Sequence, residues 1–253
     1  MKKLLLITIS IFFIFITAFS SDNSLTNITN KGEIIIGLDD TFAPMGFRDQ
    51  NGNIVGFDID LATEVCNRIG VKPIFKATEW DGIIFELRSK KIDLIWNGLT
   101  VTPQREKQIS FSTPYLEDNQ VVVVKDANIN SLEDLNNKTI GLQMGSSAYF
   151  AFEKSPISKS TKDVKKYSSN VEALLDLEAG RTQGVVIDSI VAKYYMSKKS
   201  GFKILSEPLS VENIAIGLRK KDVTLKDKIN KTINDMKKDG SFNKIYTKWF
   251  GSN

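Results

Sequence analysis

The sequence predicts an α/β fold in which two α/β lobes are joined by a two-stranded hinge. From residue 33 onward, short β-rich runs alternate with amphipathic helical runs, a pattern typical of mostly parallel sheets buried on both faces. After a very apolar run over 120–125 the alternation starts again, which indicates a second α/β unit. A late run over 213–219 shares the apolar character of 121–124. Two strands of this kind passing between the lobes would embed the second lobe within the first.

The first lobe is predicted over residues 31–118 together with 214–253. Asp58 is the predicted N-cap of a helix that ends before Gly70, because a short polar residue favours a helix start and glycine favours the position just past its end. The predicted strands of this lobe cover 33–38, 72–77 and 92–96, and its predicted helices cover 58–69, 80–90, 103–107, 225–238 and 242–249.

The second lobe is predicted over residues 119–213, with hinge strands near its ends. Asn170 is the predicted cap of a helix that stops at Gly180. Ser131 and Asp134 have a spacing similar to that of a capping box at the start of a short helix. The predicted strands cover 120–125, 139–143, 184–187 and 213–219, and the predicted helices cover 131–136, 146–153, 170–179 and 188–198.

The N-terminus has the pattern of an export signal. Lys2 and Lys3 precede an apolar run over 4–16, and the small residues Ala18 and Ser20 suit the positions before a cleavage site. The run is shorter than the roughly 20 residues needed to span a bilayer. We therefore predict that residues 1–20 are a signal peptide cleaved after Ser20. No cysteine stands there to carry a lipid, which favours a free protein in the periplasm of a two-membrane bacterium.

The charge balance argues against a nucleic-acid partner. The net charge is +4, and it falls by two when Lys2 and Lys3 leave with the signal. The lysine pairs are scattered along the chain, whereas nucleic-acid binding requires a concentrated basic face. The chain is therefore predicted to bind no nucleic acid and, once processed, not to span a membrane.

The sequence contains no histidine and one cysteine. Cys66 follows Val65 in an apolar-periodic helix and is interpreted as a packing residue, and a single cysteine permits no internal disulfide. The absence of histidine removes the commonest general base and the commonest metal ligand. No glycine pattern typical of a phosphate-binding loop is present. We therefore predict no metal and no cofactor, and an enzyme becomes less favoured without being excluded.

A candidate anion site follows the strand that ends near Gly98. Thr102 is the predicted N-cap of a helical turn whose first residue is Pro103, which places Arg105 in the first turn. A cation there opposes the helix dipole unless an anion is bound at that terminus. The Thr100 hydroxyl, nearby backbone N–H groups and the forked Arg105 side chain would together hold a carboxylate. A surface arginine paired with a neighbouring acid remains the alternative.

Other polar groups follow neighbouring strands. The segment from Gln143 to Ser147 offers hydroxyl and N–H groups, and Asp188 directly follows a strand and suits an ammonium group. The alternatives are a glycine turn with a serine cap and a helix N-cap. Phe42 and Trp80 could sandwich a side chain or pack in the core. In open α/β sheets, ligands bind at the carboxyl ends of strands. A carboxylate clamp with an ammonium acceptor describes the head of an α-amino acid.

Six stretches, taken in order, carry a resemblance to a known family. They are GFDIDLA (56–62), WDGII (80–84), DLI (93–95), TVTPQR (100–105), FSTPY (111–115) and IGLRK (216–220). With them the sequence resembles the periplasmic polar-amino-acid-binding proteins of ABC importers over residues 31–250. The resemblance implies a two-lobed periplasmic-binding-protein fold of type II, monomeric, whose lobes close on one free amino acid.

The resemblance also implies roles for the residues around the amino-acid head. Arg105 would hold the ligand carboxylate, helped by Gly98 and Thr100. Ser147 would contact the same carboxylate from the second lobe. Asp188 would accept the ammonium group.

The side-chain end of the ligand is implied by a second set of residues. Phe42 and Trp80 would form an aromatic sandwich, and Asp39 falls on a position that binds amide or amine groups in relatives. Gln143 departs from the residues found in some relatives. The acidic Asp39, with Glu79 as a weaker candidate beside it, favours a cationic ligand such as lysine, arginine or ornithine, and glutamine is the alternative.

The sequence is thus interpreted as an extracytoplasmic receptor that delivers its ligand to a membrane permease, and not as an enzyme. One alternative is a dehydratase on the same fold, for which Glu79 or Glu117 would be the candidate acid. Another is a sensory module that docks to a receptor instead of a permease. Fold alone does not decide among these functions.

Overall fold

The computed structural model describes residues 22–251, so the predicted signal peptide and its cleavage site lie outside the described residues. Within this range no helix combines the length and the hydrophobicity needed to cross a membrane.

The first part of the chain builds most of one sheet and the helices that cover it. Strands β1 and β5 run side by side in parallel, from Glu33 opposite Lys72 to Leu38 opposite Ala77. A 3-10 turn, Trp80–Gly82, precedes the third helix. The elements are α1 (Ser24–Lys31), β1 (Glu33–Leu38), β2 (Thr41–Phe42), β3 (Gly46–Arg48), β4 (Ile54–Val55), α2 (Phe57–Ile69), β5 (Lys72–Ala77), α3 (Ile83–Arg88), β6 (Leu94–Ile95), α4 (Pro103–Glu106) and β7 (Ser110–Phe111).

The middle part builds a second, mixed sheet. Its long first strand is buried from Gln120 onward, because it lies between other strands and its alternate side chains pack into two different hydrophobic clusters. The elements are β8 (Leu116–Val124), β9 (Thr139–Gln143), α5 (Ser147–Lys154), β10 (Asp163–Tyr167), α6 (Asn170–Glu178), β11 (Gly184–Asp188), α7 (Ser189–Lys198), β12 (Lys203–Ile204) and β13 (Ser210–Ile214).

The last part returns to the first sheet. Strand β14 (Gly217–Leu218) is followed by α8 (Val223–Asp239) and α9 (Ser241–Phe250). The first sheet has the order β5-β1-β6-β14-β7, and the second has the order β10-β9-β11-β8-β12 with β13 beside β8. Strands β2, β3 and β4 form a small separate sheet. The predicted α/β class is confirmed, and β14 returns the last part of the chain to the first sheet.

Two antiparallel segments connect the sheets. Strands β8 and β13 pair from Leu116 opposite Ile214 to Gln120 opposite Ser210. Beyond them, the N–H of Ser112 donates to the carbonyl of Ile216 (2.9 Å). We call β8, β13 and these flanking residues the hinge pair. The lobe boundaries given above, 118/119 and 213/214, fall within it and stay a prediction.

Three predicted helix caps are wrong. Ser131 does not cap the run 131–136, which contains only the 3-10 turn Glu133–Leu135 with Leu132 at its N-cap. The other two are the caps of α2 and α6. The N-cap of α2 is Gly56, and Asp58 turns into the core, where it accepts hydrogen bonds from the Gly98 N–H (2.6 Å) and the Tyr115 hydroxyl (2.8 Å). The N-cap of α6 is Ser169, which forms a capping box with Glu172. In both cases the polar side chain that resembled a cap has a partner outside its own helix.

Other differences from the predicted elements have local causes. The run 213–219 is split, because the chain leaves the second sheet after Ile214 and joins the first at Gly217. The run 80–90 begins as a 3-10 turn and ends as a short helix. Helix α1, the small sheet and strands β10 and β12 were not predicted. Most of these elements are short or polar, with little hydrophobic periodicity.

The buried carboxyl group of Asp58 should make stability depend on pH. Burial raises the pKa of Asp58 to about 7, against the two hydrogen bonds that favour its charged form. The folded state therefore keeps a proton that the unfolded state loses near pH 4, and the contribution of Asp58 to the free energy of unfolding falls as pH rises from about 4 to about 7.

We expect the difference in unfolding free energy between wild type and Asp58→Asn to shrink across this window. The decrease should approach about 1.4 kcal/mol for each pH unit that separates the pKa of Asp58 in the unfolded state from its pKa in the folded state. Urea unfolding of both ligand-free proteins at pH 5 and pH 8 measures it. An equal difference at the two pH values would contradict the assignment.

Candidate functional site

The predicted site residues meet in the cleft between the two sheets. Each of four strands, β1, β6, β9 and β11, is followed at its carboxyl end by polar residues that face this cleft. The lobes touch across it: the Thr100 and Ser147 hydroxyl oxygens are 3.0 Å apart, and the Phe47 and Tyr194 ring centroids are 5.7 Å apart. The structure is thus a closed form.

Arg105 is held at the centre of the cleft by its own helical turn. The Thr102 hydroxyl caps α4 by accepting from the Arg105 N–H (3.2 Å), as predicted. The side chain donates from Nη1 to the Thr100 carbonyl (2.9 Å) and from Nη2 to the Gly145 carbonyl (3.2 Å) of the other lobe. It is only 4% exposed, and burial lowers the pKa of the guanidinium to about 10.

Arg105 is not the surface ion pair considered as its alternative. Among residues 22–251, the ion pairs closer than 4 Å do not include Arg105. Its two hydrogen bonds go to neutral carbonyls, which leave the positive charge uncompensated by direct contact. A buried cation of this kind favours an anionic ligand group, because burying a charge is costly unless it is paired.

Asp188 lies on the opposite side of the cleft and is buried. It stands at the N-cap position of α7 but makes no cap hydrogen bond with its side chain, so the cap alternative does not describe its contacts. Its Oδ1 accepts from Gln120 Nε2 (2.8 Å). Burial, then the nearby charges of Asp118 and Glu212, raise the pKa of Asp188 well above its usual range. A bound cation would relieve this repulsion.

The two predicted aromatic residues form a stacked pair. The rings of Phe42 and Trp80 are 6.4 Å apart between centroids and 6° from parallel. The Arg105 guanidinium carbon lies 5.7 Å from the centroid of Trp80. Gly98 packs beneath Phe42 with φ +57°, and a Cβ atom there would come within 2.6 Å of the Phe42 ring. The Gly98 N–H donates to Asp58, so a direct contact of Gly98 with a ligand stays a prediction.

Asp39 and Gln143 join the lobes at the side-chain end of the cleft. Gln143 Nε2 donates to Asp39 Oδ2 (2.8 Å) and to the Ser168 carbonyl (2.9 Å). Asn170 Nδ2 donates to Gln143 Oε1 (3.1 Å), which orients the glutamine amide. The departure at Gln143 noted in the sequence thus provides a contact that closes the cleft over Asp39.

A cavity of about 350 Å³ opens beside this contact. Four carboxyl-bearing residues line it and no basic residue does. The acids are Asp39, Asp40, Glu79 and Glu172, and the other lining residues are Thr41, Ala77, Thr78, Trp80, Ser168 and Ser169. Glu79, the weaker candidate from the sequence, therefore lies on the same cavity as Asp39.

Two residues of the cleft, Glu212 and Gln120, were missed by sequence reasoning, whereas Gly145 lies in the predicted segment from Gln143 to Ser147. Glu212 and Gln120 belong to the hinge pair and hydrogen-bond to predicted site residues, and Gly145 contacts Arg105 from the other lobe. Glu212 lies between exposed neighbours in a strand that resembles an ordinary edge, so no sequence signal marks it. Gln120 was included in a predicted strand only as its first residue.

Two α/β lobes that close on a charged, polar cleft define a hinged ligand-binding protein. The chain belongs to the bacterial extracellular solute-binding proteins, family 3, whose family model matches residues 34–252.

Known relatives of the chain bind amino acids. It is 34% identical to the arginine-binding extracellular protein ArtP of Bacillus subtilis (strain 168), over 99% of this chain and 98% of ArtP. It is 29% identical to the L-cystine-binding protein TcyJ of Escherichia coli (strain K12), over 94% of this chain and 90% of TcyJ.

Solved structures agree with the fold. A substrate-binding protein of an ABC uptake transporter from Streptococcus pneumoniae, solved with bound histidine, is 38% identical, with a TM-score of 0.89 over 92% of this chain and 98% of that chain. An ancestral arginine-binding protein, solved with arginine and with glutamine, is 44% identical, with a TM-score of 0.82 over 87% of this chain and 99% of that chain. The predicted two-lobed periplasmic-binding-protein fold is confirmed, and the relatives differ in ligand.

Proposed function

We propose that this protein is the extracytoplasmic receptor of an ABC importer, and that it captures a free cationic L-amino acid (arginine, lysine or ornithine) by closure of its lobes. It is proposed to act in the periplasm after removal of its signal peptide, as a monomer and without catalysis. Its ligand would pass to a membrane permease. Family membership supports the transport role, and the charges of the cleft support the ligand.

The proposed binding mode places each end of the ligand against an opposite charge. Arg105, Thr100 and Ser147 would hold the α-carboxylate, and Asp188 would accept the α-ammonium group. Charged groups buried in this way are stable only when each one is paired and hydrogen-bonded. The uncompensated guanidinium of Arg105 and the crowded carboxylate of Asp188 both support this orientation.

The single observation that carries the cationic preference is the acidic cavity beside Asp39. A ligand side chain that extends past Phe42 and Trp80 would enter it, and four acids with no base favour a guanidinium or ammonium group there. Asp40 already pairs with the cation Arg48, and Glu172 caps α6. Among the described residues, Asp39 accepts hydrogen bonds only from the neutral donors Thr41 and Gln143. Asp39 and Glu79 would therefore carry the preference.

Thermal unfolding of the mature, ligand-free protein against single amino acids tests this proposal. A ligand at about a thousand times its dissociation constant stabilises the protein by roughly 4 kcal/mol. For a chain of this size the midpoint should rise by about 8–16 °C. We expect the largest rises with arginine, lysine or ornithine and none with glutamate, whose side chain would face like charges.

The variant Asp39→Asn separates charge recognition from amide recognition. This variant should lower the affinity for arginine about tenfold or more and keep the affinity for glutamine within about threefold of wild type, because only the negative charge at position 39 is removed. A rise of the unfolding midpoint with glutamine alone would overturn the cationic preference, but the protein would still be an amino-acid receptor. No rise with any amino acid, on protein shown by mass spectrometry to be ligand-free, would overturn the proposed function.

A further inference from the structure

The hinge pair brings a second carboxylate to the ammonium side of the cleft. Glu212 lies on β13, and its Oε2 accepts from the Thr100 hydroxyl (2.8 Å) and from Gln120 Nε2 (3.1 Å). Ser210 Oγ, on the same strand, donates to Glu212 Oε1 (3.0 Å). The glutamate therefore touches a predicted clamp residue of the first lobe and a strand that crosses to the second.

Gln120 connects this carboxylate to the other side of the cleft. Its Nε2 also donates toward Asp188 Oδ1 (2.8 Å) and Ser147 Oγ (3.2 Å). One amide nitrogen thus faces three oxygen atoms, from Asp188, Glu212 and Ser147. This is the kind of environment that suits an ammonium group, which has three hydrogens to donate.

The hydrogens available here are too few for the acceptors. The amide of Gln120 has two hydrogens, and the hydroxyls of Thr100 and Ser147 have one each, which makes four. The acceptor oxygens of this group number five: Asp188 Oδ1, Glu212 Oε2, Thr100 Oγ1, Ser147 Oγ and Gln120 Oε1. Gln120 Oε1 is buried and has no hydrogen-bond partner in the described part of the chain. It is bonded to the same carbon as Nε2, so it lies beside these groups. A buried acceptor without a donor is costly, which points to a ligand that supplies N–H groups.

Charge leads to the same conclusion. Arg105 is the buried cation of this centre, and the charge of Glu212 acts on it more strongly than that of Asp188. The ligand carboxylate would pair with Arg105. Two negative groups, Asp188 and Glu212, would then remain without a cation. An α-ammonium group between them would supply both the missing charge and the missing hydrogens.

We propose that Glu212 is a further ligand-binding residue, which together with Asp188 receives the α-ammonium group of the bound amino acid. The proposal rests on the proposed function as an amino-acid receptor. Because Glu212 lies on the hinge pair, this contact would tie the ligand directly to the strands that connect the lobes. If Glu212 and Asp188 both bind the α-ammonium group, the ligands are amino acids with a free primary α-amino group. N-acylated amino acids are then excluded as ligands.

The test compares Glu212→Gln with Glu207→Gln by titration calorimetry. Glutamine keeps the shape of Glu212 and an oxygen that accepts from Thr100, but removes the charge. Glu207 is exposed, lies five residues earlier on the approach to β13, and serves as the matched control. Each of three amino acids is paired with the same molecule lacking its α-amino group. The pairs are arginine with 5-guanidinopentanoate, lysine with 6-aminohexanoate and glutamine with 4-carbamoylbutanoate.

We expect Glu212→Gln to lower the affinity for the amino acid about 10- to 100-fold and to change the affinity for its deamino partner by less than about threefold. Glu207→Gln should change neither, and both variants should unfold at the same midpoint without ligand. Equal affinity of the two variants for the amino acid would overturn the role of Glu212 alone. So would an equal loss for amino acid and deamino partner, or a lowered midpoint that accounts for the loss. Wild type that binds none of the three amino acids would overturn the proposed function and this inference together.

Discussion

Replacement of Arg105 by alanine is expected to weaken amino-acid binding by a factor between about 30 and about 4,000, while changing the stability of the ligand-free protein by less than about 1 kcal/mol. Removing one partner of a buried, hydrogen-bonded charge pair costs roughly 2–5 kcal/mol, and every 1.4 kcal/mol is a factor of ten in affinity. Within the protein, the guanidinium bonds only to two carbonyls, so its loss removes no ion pair. Calorimetry for binding and urea unfolding for stability measure the two effects.

Two further variants make this result specific. Arg105→Lys keeps the charge but loses the forked donors, and it should also lose most of the affinity, because one ammonium cannot reach two carbonyls and a carboxylate at once. Arg88→Ala removes an exposed arginine whose contact is a 3.4 Å hydrogen bond to Gln108, and it should bind as wild type does. Binding by Arg105→Ala within tenfold of wild type would show that the carboxylate lies elsewhere.

Much of the candidate site was predictable because its residues follow strand ends. Arg105, Ser147 and Asp188 each stand just after a strand or at a helix start, where the chain itself aims polar groups at the sheet edge. The capping of α4 by Thr102 is a local feature, because Pro103 occupies the first helical position and the Arg105 N–H donates back to Thr102. Local patterns of this kind are visible in the sequence, and the structure brings these residues to one cleft.

Other parts of the site depend on pairing between distant segments. Glu212 reaches Thr100 only because β13 pairs with β8 and Ile214, the last residue of β13, forms an isolated bridge with Thr100. Asp58 is of a residue type that is common at helix N-caps, but its contacts with Gly98 and Tyr115 are set by tertiary packing. A polar residue in a short segment offers several partners at the sequence level, and only the register of the sheets decides among them.

Gly145 illustrates a constraint that exists only when the lobes touch. It has φ +70°, and a Cβ atom built on it would lie 2.9 Å from Asp81 Cα and 3.2 Å from Asp81 Cβ. Asp81 belongs to the 3-10 turn of the first lobe, whereas Gly145 follows β9 of the second. The backbone angle strains any side chain in every state, but the clash with Asp81 occurs only in the closed form.

We expect Gly145→Ala to weaken ligand binding about tenfold or more, because the closed form must shift to admit the methyl group. Gly180→Ala is the matched control: Gly180 has φ +74° in the same lobe, and a Cβ atom there meets nothing within 4 Å. Both variants should lose about 1 kcal/mol of unfolding free energy from the left-handed backbone angle. Only Gly145→Ala should also lose affinity, measured by calorimetry with the amino acid that stabilises wild type most. Equal affinities in the two variants would mean that the ligand-bound lobes do not approach each other at Asp81, and that the contacts of Arg105 and Thr100 with the second lobe do not form in the complex.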